Sequence, residues 1–224
     1  MKKGKIFVID GTDGSGKATQ TKRLIERLKS MGREVETIDF PRYSTNLLGG
    51  LIRECLDGKR GDFLGIDPRI VSVLYAGDRY ESRSLIQGWL DQGKIVVIDR
   101  YVSSNQIHQG GKLTDEGARR EFLEWLDKLE FGIFKLPRPD AIVYLHVPVE
   151  TSMKLAAERA RQKGGSPDTA ETDVKHQRES QESALSIIKS SNSWFRIDCG
   201  DGQGGMLSPE AIGEAVFKVV EPLI

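Results

Sequence analysis

The run Lys5-Ile6-Phe7-Val8-Ile9-Asp10 passes without a break into Gly11-Thr12-Asp13-Gly14-Ser15-Gly16-Lys17. The first six residues are mostly apolar and read as a buried strand. Beyond the glycines, Leu24, Ile25, Leu28 and Met31 share one face of a helix expected over 19–31. A glycine-rich turn between strand and helix lets the backbone wrap tightly, so that several N–H groups point inward. The helix N-terminus adds partial positive charge, and Lys17 reaches outward from its start. Residues Gly11, Thr12, Asp13, Gly14, Ser15, Gly16, Lys17, Ala18 and Thr19 therefore form an expected cradle for a phosphate chain. A plain glycine turn with an incidental lysine is the alternative, and the flanking strand and helix argue against it.

Ala18 is a departure from the usual loop, in which a Ser or Thr hydroxyl follows the lysine and ligates magnesium. Thr19 comes one position late. Either magnesium is held chiefly by acidic side chains and water, or Thr19 acts at the phosphates.

Working outward, strands are expected at 34–40 (EVETIDF), 94–99 (KIVVID), 140–147 and 193–198. Asp67-Pro68 opens a helix expected to run to about Gln92. Thr114-Asp115-Glu116 and Ser208-Pro209-Glu210 open two more. Near-continuous apolar strands alternating with helices mean a parallel sheet covered on both faces: an α/β, three-layer fold with five strands. Neither an internal repeat nor a linker divides residues 1–224, so one domain is expected. The stretches 164–172, between two helical patterns, and 200–207 read as mobile insertions, the second a plain loop.

Composition narrows the function classes. The 224 residues carry 33 Lys plus Arg against 33 Asp plus Glu, so no global positive field exists to hold a nucleic acid polymer. No apolar run is long enough to span a bilayer, and the start MKKGKIFVID reaches Asp10 too soon for a signal peptide. Only Cys55 and Cys199 occur, which fits a reducing, cytoplasmic setting.

Three further clusters bear on chemistry. Phe40-Pro41-Arg42-Tyr43-Ser44 follows the second strand, where open α/β sheets place ligand contacts. Tyr75 and Asp78-Arg79 lie one helical turn apart, and Asp99-Arg100-Tyr101 ends the third strand, followed by Ser103, Ser104, Asn105 and Gln106. The arginines would neutralise a second phosphate, and Phe40 or Tyr75 would stack on a base. Taken singly, Phe40 and Tyr75 are more often core aromatics, and Arg79 beside Asp78 reads equally as a surface ion pair. Asp99 and Arg100 are harder to explain structurally, because burying two charges at a strand end is costly. The histidines His108, His146 and His176 fit no triad or zinc spacing, and His146 reads as structural.

Together G-T-D-G-S-G-K, F-P-R-Y, L-Y-A-G-D-R and D-R-Y-V-S-S-N, in this order from Lys5 to about Ser183, resemble the thymidylate kinases among P-loop nucleoside monophosphate kinases. The resemblance implies ATP-dependent phosphorylation of thymidine 5′-monophosphate, with magnesium, in a cytoplasmic homodimer. It implies that Asp13 contacts the sugar 3′-hydroxyl near a metal shared with Asp99, and that Tyr75 stacks on thymine. Arg79 would bond the base carbonyl, Arg100 would grip the acceptor phosphate, and Asn105 would sit near the base. Phe40, Arg42, Tyr43, Ser104 and His108 complete the expected substrate contacts. His108 stands where the family often has a tyrosine thought to exclude ribose, which leaves sugar discrimination open. The phosphate loop carries no arginine, so Arg159, Arg161 and Lys163 are expected to supply catalytic cations from a lid at about 159–173. A solvated basic helix face is the alternative for those three. A kinase of another monophosphate or of a deoxynucleoside, or a nucleotide-binding regulator without turnover, also stays open.

Overall fold

The computed structural model describes residues 3–162 and 173–224. Five parallel strands, Lys5–Gly11 (β1), Val35–Asp39 (β2), Ile95–Asp99 (β3), Ala141–His146 (β4) and Trp194–Asp198 (β5), form one sheet in the order β2-β3-β1-β4-β5. The register sets Ile9 beside Asp99 and Val143, so β3 ends there while β1 and β4 run on together, Gly11 beside Leu145.

Successive residues of a strand point to opposite faces, and β1 shows what each face packs against. Ile6 and Val8 belong to a core closed by Arg83–Asp91 (α4), Val102–Gly111 (α5), Glu116–Asp127 (α6) and Val174–Ser190 (α8). Phe7 and Ile9 belong to a second core, closed by Leu24 and Leu28 of Lys17–Ser30 (α1) and by Ile212, Val216 and Phe217 of Pro209–Val220 (α9). The layers are therefore helix, sheet, helix. Leu47–Leu56 (α2) and Pro68–Glu81 (α3) stand beside the strand ends, and Val149–Gln162 (α7) follows β4.

One expectation is corrected. The helix expected from Asp67 to Gln92 is two helices, α3 and α4, broken at Ser82. Ser82 is buried, and its hydroxyl accepts hydrogen bonds from Arg42 and Asn46, which ties the break to the chain after β2. The stretch 200–207 is a loop, as expected, closed by a bridge between Gly200 and Met206, with the Asp201 carboxylate accepting from the Gln203 and Gly205 amides. Asp67 and Ser208 cap α3 and α9 as expected, each followed by proline. The insertion at 164–172 lies outside the described residues. Among the described residues, no helix is long and apolar enough to cross a membrane.

Candidate active site

β1 delivers the chain into a loop that only glycine makes possible. Gly14 and Gly16 have φ of 81° and 87°, where a Cβ would be strained. The loop curls back so that Lys17, the first residue of α1, donates from Nζ to the Gly11 and Thr12 carbonyls at 3.0 and 2.9 Å. Its ammonium lies 3.5 Å from the Asp13 carboxylate. Burial, and next the Arg100 charge, lower the Lys17 pKa, against the pull of Asp13, Asp99 and Asp10. The Thr12 and Ser15 hydroxyls are buried with no hydrogen-bond partner, while Ala18 and Thr19 are exposed at the helix start.

β3 places Arg100 beside this loop. Its φ of 64° is left-handed, an uncommon state for a residue with a side chain, and its amide donates to the Ile9 carbonyl at 3.1 Å. The guanidinium forms an ion pair with Asp13. Burial opposes its charge, but the carboxylates of Asp13, Asp10 and Asp99 outweigh that and hold the pKa above the ordinary arginine value. Asp99 itself is raised, chiefly by burial, with Lys17 and Arg100 pulling the other way. Asp10 is fully buried and committed: it accepts from the Gly11 amide and from the Ser103 and Ser104 hydroxyls at 2.8, 2.6 and 2.9 Å.

The far end is built by α3, α5 and a π-helical turn at Lys128–Ile133. Arg79 is only 2% exposed and forks onto the Glu130 carboxylate, Nε donating to Oε2 at 2.7 Å and Nη2 to Oε1. Asn105 turns its amide nitrogen toward the Ser72 carbonyl and Glu130 at 3.3 and 3.4 Å. Tyr75 packs against Phe63 with ring centres 6.2 Å apart, and buried Phe40 packs against Tyr101 at 6.1 Å.

His108 and His176 stack between the two ends, ring centres 5.5 Å apart. Nε2 of His108 faces the Arg100 Nη1 at 3.3 Å and Nδ1 faces the Ser180 hydroxyl at 3.2 Å. A guanidinium can only donate, so Nε2 accepts and the proton of the neutral ring belongs on Nδ1. Burial, then the charges of Arg100 and His176, hold the His108 pKa well below the usual histidine value, and burial lowers His176 as well.

One cavity of about 780 Å³ joins these parts. Of the residues read from the sequence, Asp13, Gly14, Gly16, Lys17, Ala18, Thr19, Phe40, Tyr43, Tyr75, Arg79, Asp99, Arg100, Ser104, Asn105 and His108 line it. Gly11, Thr12 and Ser15 lie behind the loop surface. Arg42 turns away from the cavity: its amide donates to Asp78 and its guanidinium to Ser82. Arg161 is exposed and donates to the Ala157 carbonyl within its own helix. The Arg159 side chain and Lys163 lie outside the described residues. Glu130, Gln109, His176 and Asp10 are absent from the sequence reading of the site. Gln109 offers a buried carbonyl oxygen without a partner, and nothing in its sequence neighbourhood distinguishes it.

A family model described as thymidylate kinase matches residues 9–203. The chain is 35% identical over 156 residues to a thymidylate kinase of Mycobacterium tuberculosis, an alignment covering 70% of each chain. It is 31% identical over 157 residues to the human thymidylate kinase, covering 70% of this chain and 67% of the other. A solved thymidylate kinase structure from Candida albicans superposes with a TM-score of 0.73 at 22% identity, covering 99% of this chain and 92% of that one.

Proposed function

The chain belongs to the thymidylate kinase family, and from that premise we propose that it transfers the γ-phosphoryl group of ATP to thymidine 5′-monophosphate, giving the diphosphate for thymidine triphosphate synthesis. The observation that carries this reading is the single cavity running from Lys17, past Arg100, to Tyr75, Arg79 and Asn105. A phosphate cradle, an arginine for a second phosphate and a base-sized end with paired polar groups occur there in the order a donor and acceptor would need.

Phosphoryl transfer asks for alignment, charge stabilisation and exclusion of water more than for covalent chemistry. Lys17 spends its ammonium on its own loop carbonyls, so a phosphate oxygen would take over a donor already aimed at the loop mouth. Arg100 would exchange part of its pairing with Asp13 for the acceptor phosphate, freeing Asp13 toward the sugar hydroxyl. The acceptor phosphate is already ionised at neutral pH, so the reaction needs no general base. Arg159, Arg161 and Lys163 would supply charge to the transferring group. Arg161 is exposed, so its part in this requires a movement of that segment.

Magnesium suits the donor set. This cation takes one or two carboxylates and keeps waters and phosphate oxygens. Asp99 is a desolvated carboxylate with no hydrogen-bond partner among the described residues, and it is the better ligand. Asp13 is engaged by Arg100 and Lys17, and Ala18 has no hydroxyl to offer. The ion bound there would neutralise charge on the phosphoryl oxygens.

A homodimer is supported by Ile70 and Val73 of α3 and Leu47 of α2, which stand exposed at 60, 43 and 82%. Cysteines that are both free and buried suit the cytoplasm. The activity is tested by ADP release from ATP with and without thymidylate. Release that depends on thymidylate supports the reading, and release indifferent to it, or none, refutes it.

A further inference from the structure

Glu130 belongs to none of the sequence motifs, yet it is the group on which the base end of the cavity is built. We propose that Glu130 is a positioning residue that sets base selectivity, by fixing Arg79 as a hydrogen-bond donor and Asn105 as an acceptor toward the acceptor nucleotide. The inference rests on the thymidylate reading above and deepens it.

Glu130 has no exposed surface and sits in the π-helical turn Lys128–Ile133, a rare local form frequent at functional sites. Its two oxygens take the Nε and Nη2 hydrogens of Arg79 as a fork, the geometry that leaves a guanidinium least freedom. A buried ion pair is a weak source of stability, because desolvating both charges cancels much of their attraction. What such a pair does supply is orientation.

Asn105 is fixed by the same carboxylate. The groups facing its amide, the Ser72 carbonyl and Glu130 Oε1, are both acceptors, so the NH2 must turn toward them. Its carbonyl oxygen is then the polar atom left to the cavity that Asn105 lines. Away from Glu130, Nη1 donates to the Tyr101 carbonyl at 3.4 Å, and its second hydrogen and that of Nη2 are the N–H groups left to the cavity that Arg79 lines. A donor therefore stands next to an acceptor. Thymine presents the complement, a C4 carbonyl beside an N3–H. Cytosine presents an amino group beside a bare N3, which would set donor against donor and acceptor against acceptor.

Glu130→Gln tests this. The substituted amide sets an N–H against one arm of the fork, which loosens Arg79 and releases Asn105. The wild type and variant are compared with thymidylate and deoxycytidylate as acceptors, alongside their melting curves. The expected result is a thymidylate KM raised by at least about tenfold, an ATP KM within about twofold, and a thymidylate-to-deoxycytidylate ratio of kcat/KM lowered by at least about tenfold. A merely structural role would lower the melting temperature and the active fraction while leaving KM and that ratio alone. If the Gln variant does not fold, Glu130→Asp, which keeps the charge but withdraws it by one methylene, is read for the same quantities. A folded variant with unchanged acceptor KM and unchanged selectivity overturns the inference while wild-type turnover keeps the reaction assigned. A wild type that does not phosphorylate thymidylate overturns the underlying reading itself.

Discussion

Lys17 donates to two carbonyls of its own loop, so its ammonium is desolvated and placed before any nucleotide arrives. Lys17→Ala should therefore lower turnover by about 10²–10³-fold, the usual scale for removing one preorganised cationic or hydrogen-bond donor. Little core volume is lost, so the melting temperature should move by only a few degrees. Steady-state kinetics with a thermal melt checks both. His108 gives a second residue-scale expectation. Its pKa is held well below 6.5 in the folded chain, chiefly by burial and then by Arg100 and His176. The unfolded chain thus binds more protons than the folded one below about pH 6.5. The stability that His108 contributes is present above that pH and is lost as pH falls toward its folded value. His176 acts in the same direction, and the raised pKa of Asp99 acts in the opposite one. His108→Asn should make the fall in melting temperature between about pH 6.5 and 5 shallower than in the wild type; an unchanged slope would contradict the neutral Nδ1–H ring.

At the scale of elements, the site depends on how closely α5 lies on α8. A Cβ on Gly111 of α5 would come within 2.9 Å of the Glu179 and Ser180 backbone of α8, and Ser180 is the partner of His108. Gly111→Ala should destabilise by about 1–3 kcal/mol through overpacking and weaken thymidylate more than ATP. Denaturant melts and the two KM values measure these effects. The five strands were legible because a two-sided sheet needs almost unbroken apolar runs, and the phosphate loop because glycine and lysine spacing has few other uses. Two helices, α2 and α5, escaped because Gly49-Gly50 and Ser103-Ser104-Asn105 with Gly110-Gly111 have poor helix propensity, which tertiary packing overrode. The break at Ser82 carries no proline or glycine to announce it. Arg79 was readable from its helical spacing to Tyr75, whereas Glu130 lies 51 positions away and meets it only in the folded chain. A lone acid between Leu129 and Phe131 carries no such signal.

At the scale of the whole molecule, the exposed α3 stripe and the cavity make separate demands. Ile70→Asp should shift the chain toward monomer in sedimentation velocity, with a smaller change in thermal stability than a core substitution would cause. A wild type that sediments as a monomer at micromolar concentration would remove the dimer from the account. The cavity of about 780 Å³ reaches from Lys17 to Tyr75 and Arg79, and the chemistry proposed for it is transfer from one nucleotide to another. The most direct test follows the phosphoryl group itself: ATP labelled in the γ position is incubated with the protein, magnesium and thymidylate, and the products are separated. The label is expected in thymidine diphosphate, one equivalent for each ADP formed, and to stay in ATP when thymidylate is omitted. Label released as inorganic phosphate, or carried to another acceptor in preference to thymidylate, would contradict it.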